Sequence, residues 1–526
     1  MTRLKLPIGI QSFEKLISGG YTYVDKTRYI AELVKTGTVY FLSRPRRFGK
    51  SLLVDTMACA FSGRRGLFKG LYLDMPESGW DWNEKNSVIK ISFAQMLHAD
   101  RLELRKYICR MLDEVSHNYS INAIKEKNPA YYLSDLVKKL HAQDSKRVVV
   151  LIDEYDKPIL DTIDNPVTAA EMRDELKNFY SALKDVDEYL RFVFFTGVSK
   201  FSKTGIFSGL NNLEDISINK ENSSICGYTE NELQEIFADY LSEHNHAKVR
   251  KWYNGYSWTG ESVYNPFDVL LLFKQREFKA YWFETGTPTF LVKLWKQEPR
   301  NPAEYDGLVA GEETIGSFEI QNLSLTMLLF QSGYLTIKET LSAGSIIKYR
   351  LGFPNLEVQS AFSQLLLINT TDANDINGRQ IALDSIIKTG DSQKLHLFIN
   401  SFLASIPHDW HRRNNIAEYE GYWATIFYTL FAGMGYAVIP EDVTSRGNID
   451  MTVKTPHGIW IFEFKVKGAS GNRYGFDPLI QTQDKEYEAK YRGSIGKDGK
   501  TLPVFQAGIL FNPETRCVEK WEVLCK

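Results

Sequence analysis

Two apolar strands around a short turn, residues 449–466, place three charged side chains in one small region. Asp450 opens the first strand, and Glu463 and Lys465 stand two positions apart in the second. Residues i and i+2 of a strand point to the same face of a sheet, so Glu463 and Lys465 share a face. Two carboxylates can hold a hard cation such as Mg²⁺, and an ammonium can orient water or neutralise a phosphate. The pattern predicts a metal-dependent nuclease centre.

The surroundings of Glu463 bear on this interpretation. The alternative is a surface hairpin whose charges are merely solvated. Glu463, however, lies within a run of Ile, Trp and Phe residues, and an unpaired carboxylate is costly to bury among apolar side chains. A carboxylate at such a position favours a site over a solvated hairpin.

Polar residues flank the hairpin where helices are predicted. Glu420 opens an apolar segment before the strands, and Gln481, Gln483 and Tyr487 follow them at helical spacing. With these flanks, residues 385–526 resemble the PD-(D/E)XK nuclease superfamily, in the branch fused to AAA-ATPase-like proteins. All the expected motif positions are filled. The sequence leaves open which of the two glutamines is the partner of Tyr487.

The resemblance implies a role for each side chain of the motif. In chain order, it makes Glu420 the acid of the helix, Asp450 and Glu463 the metal ligands, Lys465 the catalytic lysine and Gln481 the polar residue of the following helix. On this hypothesis the folded chain brings the first four side chains within reach of one metal ion. If the two metal ligands diverge, the cleavage hypothesis fails.

A second motif lies near the amino terminus, where an apolar strand at 38–42 leads into a basic loop at 43–51 and then a helical pattern. The loop ends in Gly49, Lys50 and Ser51. These residues suit phosphate binding, because glycine allows close backbone approach, lysine reaches the β- and γ-phosphates, and the hydroxyl binds Mg²⁺ at a helix start. A basic turn without a ligand is the alternative.

The first half of this loop departs from the common pattern. Arg44 stands where the first glycine is normally found, and Pro45 removes one backbone N–H from the phosphate cradle. Arg46 and Arg47 follow, with three roles left open: contacts with nucleotide phosphates, arginine fingers toward a neighbouring subunit, or a DNA-facing basic patch. The third role is considered because the first seventy residues carry thirteen Lys and Arg against four Asp and Glu.

A charge-free apolar run at 148–152 ends in two acids, Asp153 and Glu154. It predicts a buried parallel strand that delivers acids at its carboxyl end. In nucleotide hydrolases of this layout the first acid holds Mg²⁺ and the second polarises the attacking water. The alternative is a core strand with a helix-capping Asp. The next apolar strand, at 192–195, leads to Thr196, whose hydroxyl is a candidate for sensing the γ-phosphate.

Together these motifs resemble AAA-ATPase-like proteins over most of residues 5–300. The likeness rests on short segments at 6–10, 23–27, 44–51, 152–158, 195–200, 207–213, 253–256 and 264–267. It implies nucleotide binding by Arg46, Arg47, Gly49, Lys50, Ser51, Asp153 and Thr196. It also implies Mg²⁺ held by Ser51 and Asp153 and water activated by Glu154. The missing glycine means that fast hydrolysis is not implied.

Composition indicates an ordinary globular protein. The 526 residues allow two to four domains, and the net charge of −2 gives no general attraction to nucleic acid. Five cysteines without a Cys-x-x-Cys pair argue against a zinc site or a secreted disulfide framework and predict a cytoplasmic protein. Residues 421–440 carry no charge, but Gly433 and Gly435 divide them into a helix and a strand at 436–439. No membrane span is therefore predicted.

The predicted fold class is α/β, with a P-loop NTPase core of the AAA type, a helical lid and a carboxyl-terminal domain of the restriction-endonuclease type. The predicted bounds are 1–215 for the P-loop domain, 216–300 for the lid, 301–375 for a small winged-helix-like linker domain and 385–526 for the nuclease-like domain. A polar, turn-rich stretch near 370–378 is the predicted main linker.

The sequence therefore predicts an ATP-binding protein coupled to a Mg²⁺-dependent nuclease domain, with ATP-gated cleavage or processing of DNA. ATP and Mg²⁺ are the expected cofactors, nucleic acid is the expected partner with DNA favoured, and a homo-oligomer is left open. The alternative is a nucleotide-switched binding or scaffold protein that does not cut. The acid–acid–lysine set favours the enzyme. The missing loop glycine and the balanced charge of residues 411–526, fifteen basic against fourteen acidic, favour the alternative.

Overall fold

The computed structural model describes most of the chain, in the ranges 5–96, 100–122, 128–201, 206–286, 302–316, 324–344, 346–370, 376–406, 420–468, 477–496 and 499–526. The chain forms two compact units. The first comprises Met1–Leu291 with Gly307–Asn355, and the second comprises Val292–Asp306 with Leu356–Lys526. Most of the predicted main linker lies outside the described ranges.

A five-stranded parallel sheet forms the centre of the first unit. Its strands are β1 Val39–Ser43, β2 Val88–Ser92, β3 Val148–Asp153, β4 Leu190–Gly197 and β5 Glu214–Asp215. Their order across the sheet is β2-β3-β4-β1-β5, and all neighbours are parallel. Every residue of β3 is buried, as expected for an inner strand of a parallel sheet. The predicted buried strand that ends in Asp153 is therefore confirmed.

The strand order brings three chain segments to one edge of this sheet. In the register, Ser43 at the end of β1 lies beside Gly197 at the end of β4, and Ile152 of β3 lies beside Phe195 of β4. The loops that follow β1, β3 and β4 consequently meet at the carboxyl edge of the strands. Open α/β sheets bind their ligands at this edge.

The helices of the first unit precede, connect and follow these strands. They are α1 Phe13–Ser18, α2 Thr27–Thr36, α3 Lys50–Phe61, α4 Arg101–Asn118, α5 Pro129–Asp144, α6 Lys157–Leu160, α7 Pro166–Asp185, α8 Glu230–Ile236, α9 Ala238–Leu241, α10 His246–Tyr253, α11 Pro266–Gln275 and α12 Tyr281–Gly286. Thr229 and Glu232 form a capping box at the start of α8. Helices α8 to α11 share an apolar core that includes Phe237 and Phe273.

A small antiparallel sheet also belongs to the first unit. It consists of β6 Val309–Gly311, β7 Thr336–Ala343 and β8 Ile346–Gly352 in the order β6-β8-β7, with helices α13 Glu312–Ile315 and α14 Leu325–Ser332. Gly333 at the end of α14 has φ +93, and a Cβ there would lie 2.7 Å from the ring of Pro45. The end of α14 therefore packs directly against the loop that follows β1.

The second unit contains a mixed five-stranded sheet. Its strands are β9 Ala437–Thr444, β10 Gly447–Thr455, β11 Gly458–Val466, β12 Val504–Asn512 and β13 Cys517–Cys525, in the order β13-β12-β11-β10-β9. Strands β11 and β12 are parallel and the other pairs are antiparallel. Its helices are α15 Leu356–Thr370, α16 Ile376–Thr389, α17 Ser392–Ala404, α18 Glu420–Gly433 and α19 Pro478–Asp484. The predicted α/β class is confirmed.

The uncharged segment after Glu420 folds as a helix and a strand, as predicted. Helix α18 ends at Gly433, Gly435 has φ +75, and β9 begins at Ala437. Strand β9 extends further than predicted because its pairing with β10 continues to Thr444. In the described ranges, no helix has both the length and the apolar run that a bilayer crossing requires.

Candidate functional sites

The loop after β1 borders a cavity of about 560 Å³ in the first unit. Gly49 has φ +94 and directly precedes α3, whose first residues are Lys50 and Ser51. These three residues and Glu154 line the cavity. A Cβ on Gly49 would meet nothing within 4 Å, so the need for glycine here is conformational and not steric. The predicted phosphate loop thus opens onto a cavity of the size that small ligands occupy.

The ammonium of Lys50 is buried and bonded to its own loop. It donates to the carbonyl oxygens of Arg44, at 2.8 Å, and of Pro45, at 2.9 Å. Burial lowers its pKa, an effect opposed by the negative charges of Asp153 and Glu154. The Lys50 ammonium therefore ties the start of α3 to the backbone at Arg44 and Pro45. Lys50 also lines the cavity.

Arg44 is a buried support of the loop, which accounts for its presence at the usual glycine position. Its guanidinium donates to the carbonyl oxygens of Ser217, at 2.8 Å, and Asn222, at 2.9 Å. It also lies 3.9 Å from the centre of the Trp258 ring. Burial lowers the pKa of Arg44 to about 10. The Arg44 side chain therefore links the loop after β1 to the backbone at Ser217 and Asn222. It does not line the cavity.

Changing Arg44 to the glycine of the common pattern is expected to destabilise the chain, not to improve the site. Arg44→Gly removes the donors for one buried and one half-buried carbonyl and should lower the free energy of unfolding by about 3 kcal/mol. Arg44→Lys keeps the charge but loses the planar set of guanidinium donors, so its free energy of unfolding should lie between those of Arg44→Gly and the wild type. Urea titrations of the three proteins measure the effect. Equal stability of Arg44→Gly and wild type would contradict the anchoring role.

The two acids at the carboxyl end of β3, Asp153 in the strand and Glu154 after it, differ in burial. Asp153 is buried and accepts a hydrogen bond from the Thr196 hydroxyl at 2.5 Å, and neither residue lines the cavity. Glu154 has φ +54, and it does line the cavity. Burial raises the pKa of Glu154, with Lys50 and Arg46 acting against the rise. Of the predicted acids, Glu154 is therefore the one that meets the cavity directly.

Asp156 is a further buried acid at this edge that the sequence did not assign. Its carboxylate accepts the backbone N–H groups of Val198, at 3.0 Å, and Ser199, at 2.6 Å. Burial raises its pKa to about 6. These bonds hold the backbone after β4 against the loop after β3. Its position three residues after Asp153 was visible in the sequence, but its partners were not.

Arg46 and Arg47 both line the cavity of their own chain. The carbonyl oxygen of Arg46 accepts a hydrogen bond from the Trp282 indole at 3.1 Å. Arg47 has φ +70, and its guanidinium lies 5.0 Å from the centre of the Phe267 ring. Both side chains are exposed, and their place at the cavity is compatible with contacts to phosphates of a bound nucleotide.

The second unit brings four predicted side chains together at the β10–β11 hairpin. The ammonium nitrogen of Lys465 lies 3.3 Å from Glu463 Oε1, 3.7 Å from Glu420 Oε2 and 3.8 Å from Asp450 Oδ2. Asp450 lies within β10, which begins at Gly447, and not at the opening of the strand as predicted. The carboxylates of Asp450 and Glu463 converge on one ammonium and do not diverge.

Mutual repulsion and burial perturb these acids. Burial, followed by the negative charge of Asp450, raises the pKa of Glu463 to about 8 and that of Glu420 to about 7. Burial also raises the pKa of Asp450. Burial acts to lower the pKa of Lys465, but the three carboxylates outweigh it and raise the value. The cluster therefore combines a firmly charged ammonium with carboxyl groups that resist ionisation.

The oxygens around Lys465 suit a hard divalent cation. Asp450 Oδ2 accepts the Phe464 N–H at 2.7 Å, and the Phe464 carbonyl accepts the Lys465 ammonium at 2.7 Å. Glu463 Oε2 is buried and has no hydrogen-bond partner among the residues that the structure describes. Among the described residues, no three His, Cys, Asp or Glu side chains are placed so that together they could hold a metal ion. Carboxylate and carbonyl oxygens are nevertheless the ligands that Mg²⁺ prefers, and a cation would satisfy the unpartnered Oε2.

The helix after the hairpin contributes one residue to this cluster. Gln481 on α19 donates from its side-chain amide to Glu463 Oε1. Tyr487 donates its hydroxyl to the carbonyl oxygen of Asn448 at 2.6 Å, and Gln483 is exposed. Neither glutamine is therefore the partner of Tyr487, which instead supports the backbone two residues before Asp450.

The raised pKa of Glu463 predicts how stability depends on pH. The folded chain keeps this carboxyl protonated up to about pH 8, whereas its ordinary pKa is 4.5. Between these values the folded state binds more protons than the unfolded state, so the free energy of unfolding should fall as the pH rises. Urea titrations in EDTA at several pH values measure this fall, which Glu463→Gln should weaken. A pH dependence that is the same in Glu463→Gln as in the wild type would contradict the assignment.

Comparison with known proteins agrees with both predicted domain types. Residues 7–207 match a family described as predicted AAA-ATPase, and residues 418–521 match the PD-(D/E)XK nuclease superfamily. A protein of Azotobacter chroococcum mcd 1, described as an uncharacterized protein in the vnfD 5' region, is 44% identical over 520 residues, which cover 98% of each chain. No solved structure matches the chain. The chain belongs to the family that joins an AAA-ATPase-like domain to a carboxyl-terminal PD-(D/E)XK nuclease superfamily domain.

Proposed function

We propose that this protein cleaves DNA phosphodiesters with Mg²⁺ at the Lys465 cluster and that ATP bound at the loop after β1 gates the cleavage. The observation that carries the proposal is the convergence of Glu420, Asp450 and Glu463 on the Lys465 ammonium, next to the unpartnered Glu463 Oε2. A structural ion pair needs one carboxylate for one ammonium. Three carboxyl groups exceed this need, and a divalent cation would displace their protons and compensate the charge that burial now disfavours.

The residues of the cluster would divide the chemistry among them. Asp450, Glu463 and the Phe464 carbonyl would hold Mg²⁺, which would polarise the phosphate and lower the pKa of a bound water. Lys465, kept charged by its neighbours, would move its ammonium toward the phosphate or the attacking water. Gln481 would keep the Glu463 carboxylate oriented. Glu420, whose pKa is raised to about 7, is suited to accept a proton near neutral pH.

ATP binding would require a rearrangement of the loop after β1. To reach the β- and γ-phosphates, Lys50 has to release the two carbonyl oxygens that it now contacts. Arg46 and Arg47 would add phosphate contacts, and Ser51 with Asp153 would hold the Mg²⁺ of the nucleotide. Glu154 would polarise the attacking water if hydrolysis occurs. This change would reach Gly333 at the end of α14, which packs against Pro45 in the same unit.

A nucleotide-switched binding protein is the second candidate. It is supported by the Lys465 ammonium, which fills the centre of the acidic cluster, and by the nearly balanced charge of residues 411–526. Such a protein would bind ATP and a partner but would not cut DNA.

One assay separates the two candidates. Purified protein is incubated with linear, circular and single-stranded DNA in Mg²⁺, Mn²⁺ or EDTA, with and without ATP. The proposal expects cleavage that needs the metal and changes with ATP. Bound ATP without cleavage of any substrate would favour the binding protein.

A further inference from the structure

The first unit contains a second, more open depression that the proposed function does not use. It has a volume of about 780 Å³ and is lined by four cationic side chains, Lys5, Lys15, Lys274 and Arg276, with Tyr21 and Tyr240 among the remaining residues. We call it the basic groove. Ile10 lines both the basic groove and the nucleotide cavity, so the two adjoin each other.

Among the described residues, three of the four cations of the basic groove have no partner carboxylate. No carboxylate lines it, and in the described part of the chain Lys5, Lys15 and Lys274 form no ion pair. Arg276 pairs with Glu243 at 3.1 Å, and 61% of its side chain is exposed. Because the whole chain has a net charge of −2, this positive region reflects local placement and not general basicity.

The four cations reach the basic groove from separate parts of the chain. Lys5 precedes α1, Lys15 lies on α1, and Lys274 and Arg276 lie at the end of α11. Charges on one face of a helix are neighbours because of their spacing in the sequence. Here the like charges are brought to one groove by folding, which has to act against their repulsion. A polyanion would relieve that repulsion.

The groove also offers an aromatic surface beside the charges. Lys5 donates to the Gly19 carbonyl at 3.1 Å and lies 5.6 Å from the centre of the Tyr21 ring. Tyr21 is half-buried, and Tyr240 is buried. Proteins that hold single-stranded nucleic acid combine a positive groove along the backbone with aromatic rings for the bases.

We propose that the basic groove binds a strand of nucleic acid, with phosphodiester groups along Lys5, Lys15, Lys274 and Arg276 and a base against Tyr21. The strand would then be held by the unit that binds the nucleotide, next to the segment at 5–10 that separates the two depressions. This binding needs neither metal nor cleavage.

The test measures binding of a fluorescein-labelled oligothymidine strand by anisotropy over a range of salt concentrations. The full chain carries Asp450→Asn to prevent cutting. The groove variant carries Lys15→Gln and Lys274→Gln. The control variant carries Lys69→Gln and Lys106→Gln, which remove the same charge from exposed lysines outside the basic groove. The groove variant should bind about tenfold or more weakly at low salt. Its salt slope should fall by about 0.7 for each lost phosphate contact.

Three outcomes decide the proposal. A loss confined to the groove variant supports it, and equal affinity and salt slope in both variants overturn it. Binding to vesicles that contain phosphatidylserine is measured with the same variants. If the groove variant loses binding to these vesicles but not to the oligothymidine, the proposal is overturned and the groove is assigned to anionic lipid. Cleavage by the wild-type chain in Mg²⁺ is measured alongside. If the wild-type chain cleaves DNA and the groove variant binds the strand as well as the control does, only the groove proposal is wrong. If the groove variant binds less well but the wild-type chain does not cleave, only the nuclease proposal is wrong.

Discussion

Replacing Asp450 with Asn is expected to reduce Mg²⁺-dependent DNA cleavage by about 10³-fold or more. Asn keeps an oxygen that can accept the Phe464 N–H, now bonded to Asp450 at 2.7 Å, so the hairpin should keep its shape. The substitution removes the negative charge that a divalent cation requires. A metal ion supplies several kcal/mol to such a reaction, and about 4 kcal/mol corresponds to a thousandfold change in rate.

The measurement is the rate of nicking of supercoiled plasmid in excess Mg²⁺. Glu514→Gln is the matched control, because it neutralises an exposed carboxylate of the same unit between β12 and β13. The control should cleave at the wild-type rate. Cleavage that survives Asp450→Asn would show that the chemistry takes place elsewhere and would remove the Lys465 cluster as the active site.

Replacing Lys50 with Met is expected to weaken ATP binding by about 100-fold or more. Met keeps most of the side-chain stem but loses the ammonium. Two charge-assisted hydrogen bonds to phosphates contribute about 1.5 kcal/mol or more each, and each 1.4 kcal/mol is a factor of about ten in affinity. The carbonyl oxygens of Arg44 and Pro45 also lose their donor, so circular dichroism has to accompany the titration.

Calorimetric titration with ATP measures this effect, and Lys69→Met, on an exposed lysine of the same unit, is the control. If Lys50→Met fails to fold, Ser51→Ala tests the same site through the Mg²⁺ that its hydroxyl would hold. Unchanged ATP affinity in a folded Lys50→Met protein would remove the phosphate-loop assignment. ATP-dependent cleavage that persists in this variant would instead show that the two units are not coupled through this loop.

Some relations in this protein follow from short segments of the chain and can be predicted from the residues alone. Glu463 and Lys465 share a strand face because side chains alternate along a strand, and the structure brings both to one cluster. Gly49, Lys50 and Ser51 are consecutive and begin a helix, as predicted. In both cases the spacing along the chain is enough to define the local geometry.

Other relations join residues that are far apart in the chain. The sequence shows that Arg44 breaks the loop pattern, but not that Trp258 and the Asn222 carbonyl receive its side chain. It offers two glutamines for Tyr487, whereas the hydroxyl bonds the backbone at Asn448. These partners depend on how whole elements pack, which the periodicity of one segment does not contain.

The sequence by itself determined the two kinds of unit, the strands that carry their acids and the identity of most candidate site residues, because these depend on local periodicity and on contiguous motifs. Only the tertiary structure decided which acids converge on Lys465, that Lys50 is bonded to its own loop, and that four cations from separate segments form the basic groove. Electrostatic and hydrogen-bond partners are set by distance in space, and the packing of distant segments fixes that distance.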